Sequence, residues 1–163
     1  MTVKYMCDLE KRHRMEQAAT MYVRIYSYEN RVARGVVMSM TDKTEIPFCG
    51  LDQMSLIIEE LLDRHEAFDG TSDYRCIDSA FPCDRWLEHR VSSQMRGCPQ
   101  KFLIRVHSRQ NRSLHGELRT EGKGCYFRSG MELMRLMHQW LWLRYEALEK
   151  DGASVRSRRI CNI

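Results

Sequence analysis

Two stretches of the sequence carry the same residues at the same positions, 81 residues apart. The first, RIYSYENRVARGVVM, begins at Arg24, and the second, RVHSRQNRSLHGELR, begins at Arg105. The matched residues are Arg24 with Arg105, Ser27 with Ser108, Asn30 with Asn111, Arg31 with Arg112, and Gly35 with Gly116. This internal repeat constrains the fold more than any other feature, because one structural unit must accommodate both copies.

Each copy has the pattern of three β-strands. Val23 and Ile25 alternate with polar neighbours in MYVRIYS, and Ile104 and Val106 do the same in FLIRVHS, which is typical of half-buried strands. A polar turn follows, and then a second strand that contains the matched glycine, a residue that marks a bulge or a close backbone approach. The third strand ends in Phe48 in the first copy and in Phe127 in the second, a spacing of 79 rather than 81. The second copy therefore has two fewer residues in the hairpin before this strand. An even-numbered loss leaves the inward residues facing inward.

An amphipathic helix closes each copy. The apolar residues recur at helical spacing in two stripes, Met54, Ile57, Ile58, Leu61 and Leu62 in the first copy, and Leu133, Leu136, Met137, Trp140 and Leu141 in the second. Spacings of i, i+3, i+4, i+7 and i+8 predict a helix with one core-facing side. Each copy is therefore predicted to be a β-β-β-α unit.

We predict an α+β protein made of two tandem β-β-β-α units with pseudo-two-fold symmetry. The strands form one or two antiparallel sheets, and both helices pack on one face. The predicted segments are an N-terminal helix (1–20), the first unit (21–65), a connecting segment with a short helix around Cys83 to Val91 (66–100), the second unit (101–149) and a basic flexible tail (150–163).

Several features of the whole chain predict a cytoplasmic protein that does not associate with membranes. No apolar run approaches the roughly 18–20 residues of a membrane span, and the N-terminus lacks the apolar core of a signal peptide. The seven cysteines show no CxxC spacing, and without an export signal we expect them to be reduced.

The motifs of common catalytic sites are missing from the sequence. It contains no GxSxG, HExxH, P-loop or GxGxxG motif, and the histidines and cysteines lack the paired spacing of structural zinc sites. Cys76, Cys83 and His89 are the ligand types that lie closest together, and a Cys83–His89 enzyme is the least favoured alternative. We therefore predict a non-enzymatic protein with no cofactor and no metal.

Charge is divided unevenly between the copies. Residues 22–63 contain four Lys or Arg against seven Asp or Glu, whereas residues 101–144 contain nine against three. The predicted binding residues in the basic second unit are Arg105, Arg109, Arg112, Arg119 and Arg128. They predict an interaction or regulatory module that binds a protein partner or an anionic ligand, since arginine pairs with phosphate and carboxylate in bidentate geometry.

Nucleic-acid binding through the same arginines is the alternative function. Sheets that bind nucleic acids usually add exposed aromatic residues for base stacking. The aromatic candidates here, Tyr22, Tyr26 and Tyr28, belong to the acidic first unit, so we expect the aromatic and basic surfaces to lie apart. The second unit also differs from the first at Arg109, where the first has Tyr28.

A longer pattern covers part of the second unit, F-x-x-R-x-x-x-R-Q-N-x-x-W-Q-G followed by F-R-S-x-L-E-L. The matching residues are Phe102, Arg105, Arg109, Gln110, Asn111, Gly116, Phe127, Arg128, Ser129, Glu132 and Leu133. In this pattern the chain resembles a family of short, uncharacterised bacterial proteins, although Leu114 and His115 stand where the family has Trp-Gln. The resemblance implies a bacterial module and no particular mechanism.

Overall fold

The computed structural model describes residues 10, 12–41, 43–65, 67–68, 100–110 and 113–160. The short helix predicted around Cys83 to Val91 lies outside these residues, as do Asn111 and Arg112. Within them the chain forms an α+β structure with a six-stranded antiparallel sheet and three helices.

The strands are β1 (Thr20–Glu29), β2 (Val32–Ser39), β3 (Glu45–Cys49), β4 (Gln100–Gln110), β5 (Ser113–Thr120) and β6 (Lys123–Phe127). The helices are α1 (12–18), α2 (Leu51–Arg64) and α3 (Gly130–Ile160). The sheet order is β3-β2-β1-β4-β5-β6, so the two three-stranded meanders join side by side through β1 and β4.

The alternating residues of the sequence are the ones that the sheet buries. Val23, Ile25, Ile104 and Val106 are all buried, as their period of two predicts. They face α2 and α3, and one hydrophobic cluster includes residues of both meanders and both helices. The helices therefore cover one face of a single sheet.

Both predicted helical stripes face this core. Met54, Ile57, Ile58, Leu61 and Leu62 of α2 are all buried, and on α3 Leu133, Met137 and Leu141 are buried, while Leu136 and Trp140 are partly buried. At the start of α3 the Glu132 amide donates to Ser129 Oγ at 3.0 Å, and the Arg128 amide donates to Glu132 Oε2 at 2.7 Å. These bonds satisfy amide groups that a helix start leaves unpaired.

The last helix is longer than the sequence analysis predicts. It continues to Ile160, across most of the segment predicted as a flexible tail. Residues 150–160 contain no proline and only one glycine, and their lysine, alanine and arginine residues favour a helix. Among the described helices, none is both long and apolar enough to cross a membrane.

Hairpin geometry explains the asparagine of the first copy. Asn30 and Arg31 join β1 to β2, and both have positive φ, at 51° and 64°. Tight two-residue hairpins favour this backbone, and asparagine tolerates it better than most residues do. The turn predicted at Asn30 is therefore confirmed.

Candidate binding surface

The sheet face opposite α2 and α3 gathers charged and aromatic side chains. We call it the outer sheet face, and its residues used below are Tyr22, Lys101, Leu103, Arg105, His107, Glu117, Arg119 and Tyr126. They alternate along their strands with the core residues and so point away from the helices.

Pairing of β1 with β4 brings residues of the two predicted units together on this face. Tyr22 lies opposite Leu103, and Arg24 lies opposite Lys101. The expectation that aromatic and basic surfaces lie apart is therefore wrong. It assumed that each unit keeps its own surface, whereas the central strand pair joins them.

A groove with a volume of about 570 Å³ opens on the outer sheet face. Its lining includes Tyr22 from β1, Lys101 and Leu103 from β4, Arg119 from β5 and Tyr126 from β6. Strand register arranges the side chains of the outer sheet face in two rows that run across the strands. Tyr22, Leu103 and Arg119 are successive cross-strand partners in one row, and Arg105, Glu117 and Tyr126 are partners in the next. Tyrosines from β1 and β6 thus flank cations from β4 and β5.

Glu117 and Glu121 are the acidic residues that line the groove, and Glu117 lies between Arg105 and Tyr126 in the strand register. Its side chain is 12% exposed and accepts a hydrogen bond of 2.5 Å from Arg119 Nε, while His107 Nε2 lies 4.0 Å from its other oxygen. The hydrogen bond to Glu117 and the charge of that carboxylate raise the pKa of Arg119. Arg119 is 61% exposed, so it remains a charged group in contact with solvent.

Two other cations of this face form no ion pair within the described part of the chain, although Glu117 lies opposite Arg105. Lys101 and Arg105 are both exposed, and neither forms an ion pair with another described residue. A second cavity of about 450 Å³ adjoins Arg105 between α1 and β4, and Arg12 and His107 help to line it. Arg12 thus adds a cation near Arg105, although Glu16 lines the same cavity.

The remaining arginines predicted to bind lie elsewhere. Arg109 is on the helix side, where its side chain is only 7% exposed and forms ion pairs with Asp63 and, at 3.9 Å, with Glu59 of α2. Arg128 is exposed in the turn before α3, where its carbonyl accepts a hydrogen bond from Ser113 Oγ. Arg112 lies outside the described residues. Of the five predicted arginines, the described structure brings only Arg105 and Arg119 together on the outer sheet face.

Sequence reasoning did not select Lys101 or Tyr126 as binding residues. The sequence indicates that both side chains are on the outer sheet face, because each residue alternates with buried residues along its strand. Tyr126 precedes the buried Phe127, and Lys101 precedes the buried Phe102. Neither is one of the five predicted arginines or one of the tyrosines of the first unit.

A phenol–imidazole pair lies on the helix side of the sheet. Tyr28 Oη and His138 Nδ1 are 2.9 Å apart, and the Tyr145 ring packs against Tyr28 with 5.6 Å between centroids. Burial, and next the charge of Arg31, lowers the pKa of His138, and burial raises the pKa of both tyrosines. The folded protein therefore favours the neutral forms of Tyr28, His138 and Tyr145, as expected for a structural contact between β1 and α3.

Metal-ligating side chains and cysteines are the remaining candidates for chemistry. No group of three or more His, Cys, Asp or Glu side chains within the described ranges is arranged to hold a metal ion. Cys49 and Cys125 are free thiols, and burial raises the pKa of Cys125, which disfavours the reactive thiolate. Cys83 and His89 lie outside the described residues, so a Cys83–His89 site stays a prediction.

The chain was compared with protein-family models, curated proteins and solved structures, and none of them matches it.

Proposed function

We propose that this chain is a non-enzymatic cytoplasmic binding module whose outer sheet face binds an anionic ligand. The observation that carries the proposal is the exposure of Lys101 and Arg105 without an ion pair to any described residue. Arg119 adds a third cation to the same face. A phosphate or carboxylate would supply the acceptors that the first two lack, and arginine can bind either in bidentate geometry.

We also infer that the two β-β-β-α units arose by duplication and are related by a pseudo-two-fold axis. Tyr22 and Leu103 are matched positions of the repeat and are each other's partners in the β1–β4 pair, as expected on such an axis. The register shifts occur at matched positions as well, at Ile25/Ser27 in one copy and at Val106/Ser108 in the other. These correspondences support the tandem arrangement.

Comparison of the matched positions explains why Arg105 is available. Its counterpart in the first unit, Arg24, forms an ion pair with Glu45 of β3. In the second unit the position that corresponds to Glu45 is Gly124 of β6, which has no side chain to neutralise Arg105. The second unit thus retains the arginine without a carboxylate at the Glu45 position, and Glu117, which lies opposite Arg105 on β5, bonds Arg119 instead.

The groove residues also differ between the copies. The positions that correspond to Glu117, Arg119 and Tyr126 in the first unit are Val36, Met38 and Pro47. At these three positions the outer sheet face is therefore apolar over β2 and β3, and charged or aromatic over β5 and β6. This contrast favours the second unit as the one that binds the ligand.

Binding of inorganic polyphosphate, measured by fluorescence anisotropy at low salt, tests the proposal. The test variant carries Lys101→Gln and Arg105→Gln, and the control carries Arg14→Gln and Arg135→Gln, which remove the same charge from exposed positions on α1 and α3. We expect the test variant to bind at least about tenfold more weakly than the control, with a shallower dependence of affinity on salt. Equal affinities for the two variants, or no binding by the wild-type protein, would refute the proposal.

A further inference from the structure

We infer that the anionic ligand is a single-stranded nucleic acid, whose bases stack on Tyr22 and Tyr126 and whose phosphates contact Lys101, Arg105 and Arg119. This inference rests on the proposed function, since it uses the same cations. It adds a role for the aromatic side chains, which binding of a simple anion does not require.

The exposure of Tyr126 is the first observation behind this inference. This side chain is 76% exposed on β6, although a tyrosine carries a large apolar ring. Its nearest ring neighbour is the exposed His107, with 6.3 Å between centroids and a tilt of 56°. One face of an exposed aromatic ring is the platform on which proteins stack unpaired bases without sequence preference.

The order of groups across the sheet is the second observation. Tyr22 lies on β1 and Tyr126 on β6, and the strands between them, β4 and β5, carry Lys101 and Arg119. Neighbouring strands are about 4.8 Å apart, so the strands that carry the two tyrosines are separated by about 14 Å. Two stacking positions with cations between them match a single strand, in which bases alternate with phosphates along the chain.

Glu117 fits this ligand better than it fits an acidic peptide. A carboxylate in a cationic groove repels an acidic side chain and weakens the attraction for it. Bases, however, carry exocyclic amino groups that donate hydrogen bonds, and glutamate accepts from such groups in known recognition pairs. Glu117 is held in place by Arg119 and therefore offers a fixed acceptor beside Tyr126.

Three probes separate this inference from the proposed function. The first is a single-stranded RNA of about 12 nucleotides, within the range of site sizes for single-strand binders. The second is the same phosphodiester backbone without bases, and the third is a polyglutamate peptide of equal charge. Binding of each probe is measured by fluorescence anisotropy at low salt with the full-length chain.

The test variant is Tyr126→Thr, which keeps strand propensity and loses little packing because the ring is exposed. Tyr126→Phe is the matched control, since it retains the ring. We expect the wild-type protein to bind the RNA at least about tenfold more tightly than the base-free backbone. We also expect Tyr126→Thr to lose about tenfold in affinity for RNA and none for the backbone, while Tyr126→Phe binds like wild type.

The contrary outcomes can be distinguished from one another. Equal affinity for RNA and for the base-free backbone, with no effect of Tyr126→Thr, would overturn base stacking and leave the anion-binding proposal standing. Tighter binding of polyglutamate than of RNA would show that the ligand is an acidic protein segment and would also overturn the inference. Failure of the wild-type chain to bind any probe would refute both proposals.

Discussion

Gly35 and Gly116 lie at corresponding positions beside the two register shifts of the sheet. Gly35 pairs with Ile25 and Gly116 pairs with Val106, and in each case the register shifts immediately beyond the partner. A Cβ atom on either glycine would meet the backbone carbonyl oxygen of the neighbouring arginine, and a phenylalanine ring at 2.9 Å or 2.8 Å. Glycine is required at both positions because the neighbouring strand and ring occupy the space of a side chain.

We expect Gly35→Ala and Gly116→Ala to destabilise the protein by similar amounts, about 1–3 kcal/mol each, because the backbone must move to admit the methyl group. Gly124→Ala on β6 is the control, since its nearest contact would be a side-chain carbon at 3.4 Å, and we expect a change within about 0.5 kcal/mol. Urea unfolding measures all three. A neutral effect at only one of the two matched glycines would argue against equivalent environments.

The helices are joined crosswise to the sheet by two matched residues. Tyr28 of β1 contacts His138 of α3, and Arg109 of β4 contacts Glu59 of α2. Tyr28 and Arg109 are equivalent in the repeat, and so are Glu59 and His138, at the spacings of 81 and 79 residues. A neutral hydrogen bond in one contact thus corresponds to an ion pair in the other, which predicts different responses to pH and to mutation.

Arg109→Gln tests the contact with α2. It removes a partner of Asp63 and Glu59, and we expect a loss of about 1–2 kcal/mol, because both carboxylates retain access to water. Arg105→Gln on the outer sheet face, which breaks no ion pair with a described residue, is expected to change stability by less than about 0.5 kcal/mol. Urea unfolding compares the two variants. Normal stability of Arg109→Gln combined with weaker polyphosphate binding would instead assign Arg109 to ligand binding.

The Tyr28–His138 contact predicts that stability falls in mild acid. The folded protein lowers the pKa of His138 below its ordinary value of 6.5, through burial and the charge of Arg31. As the pH falls below 6.5, His138 therefore binds a proton in the unfolded chain before it does so in the folded protein. The free energy of unfolding decreases over this range, until the pH has fallen below the lowered pKa of the folded state. We expect wild-type protein to lose more stability than His138→Gln between about pH 7.5 and pH 5.5 in urea unfolding. An equal loss in both proteins would contradict this role.

Local sequence patterns predicted the elements but not how they pair. Alternation correctly identified Val23 and Ile104 as inward residues, and helical spacing correctly identified the buried stripe of α2. Both patterns depend on neighbours within a few residues of one another. The pairing of Tyr22 with Leu103, and the burial of Arg109 against α2, depend on contacts between distant segments that periodicity does not encode. For this reason local patterns identified the inward residues correctly and divided the outer sheet face wrongly between the two units.

At the scale of the whole molecule, the sheet and the core are both continuous across the two meanders. β1 and β4 are paired over six residues, from Thr20 with Arg105 to Ile25 with Gln100. The same hydrophobic cluster contains Leu61 of α2 and Leu141 of α3. A groove that uses side chains from β1, β4, β5 and β6 depends on this continuity, because neither meander alone contains both of its tyrosines.

The shared core predicts that the described structure unfolds as one cooperative unit. Leu61 is fully buried in α2, so Leu61→Ala should cost about 2–5 kcal/mol through the cavity that it leaves. If β1 and β4 couple the meanders, this loss should speed hydrogen exchange of the slowest amides in β4, β5 and β6 as much as in β1, β2 and β3. Mass spectrometry of peptides from each strand measures the effect. Faster exchange confined to the first three strands would show that the meanders unfold separately, and the groove between them would then open before the second meander unfolds.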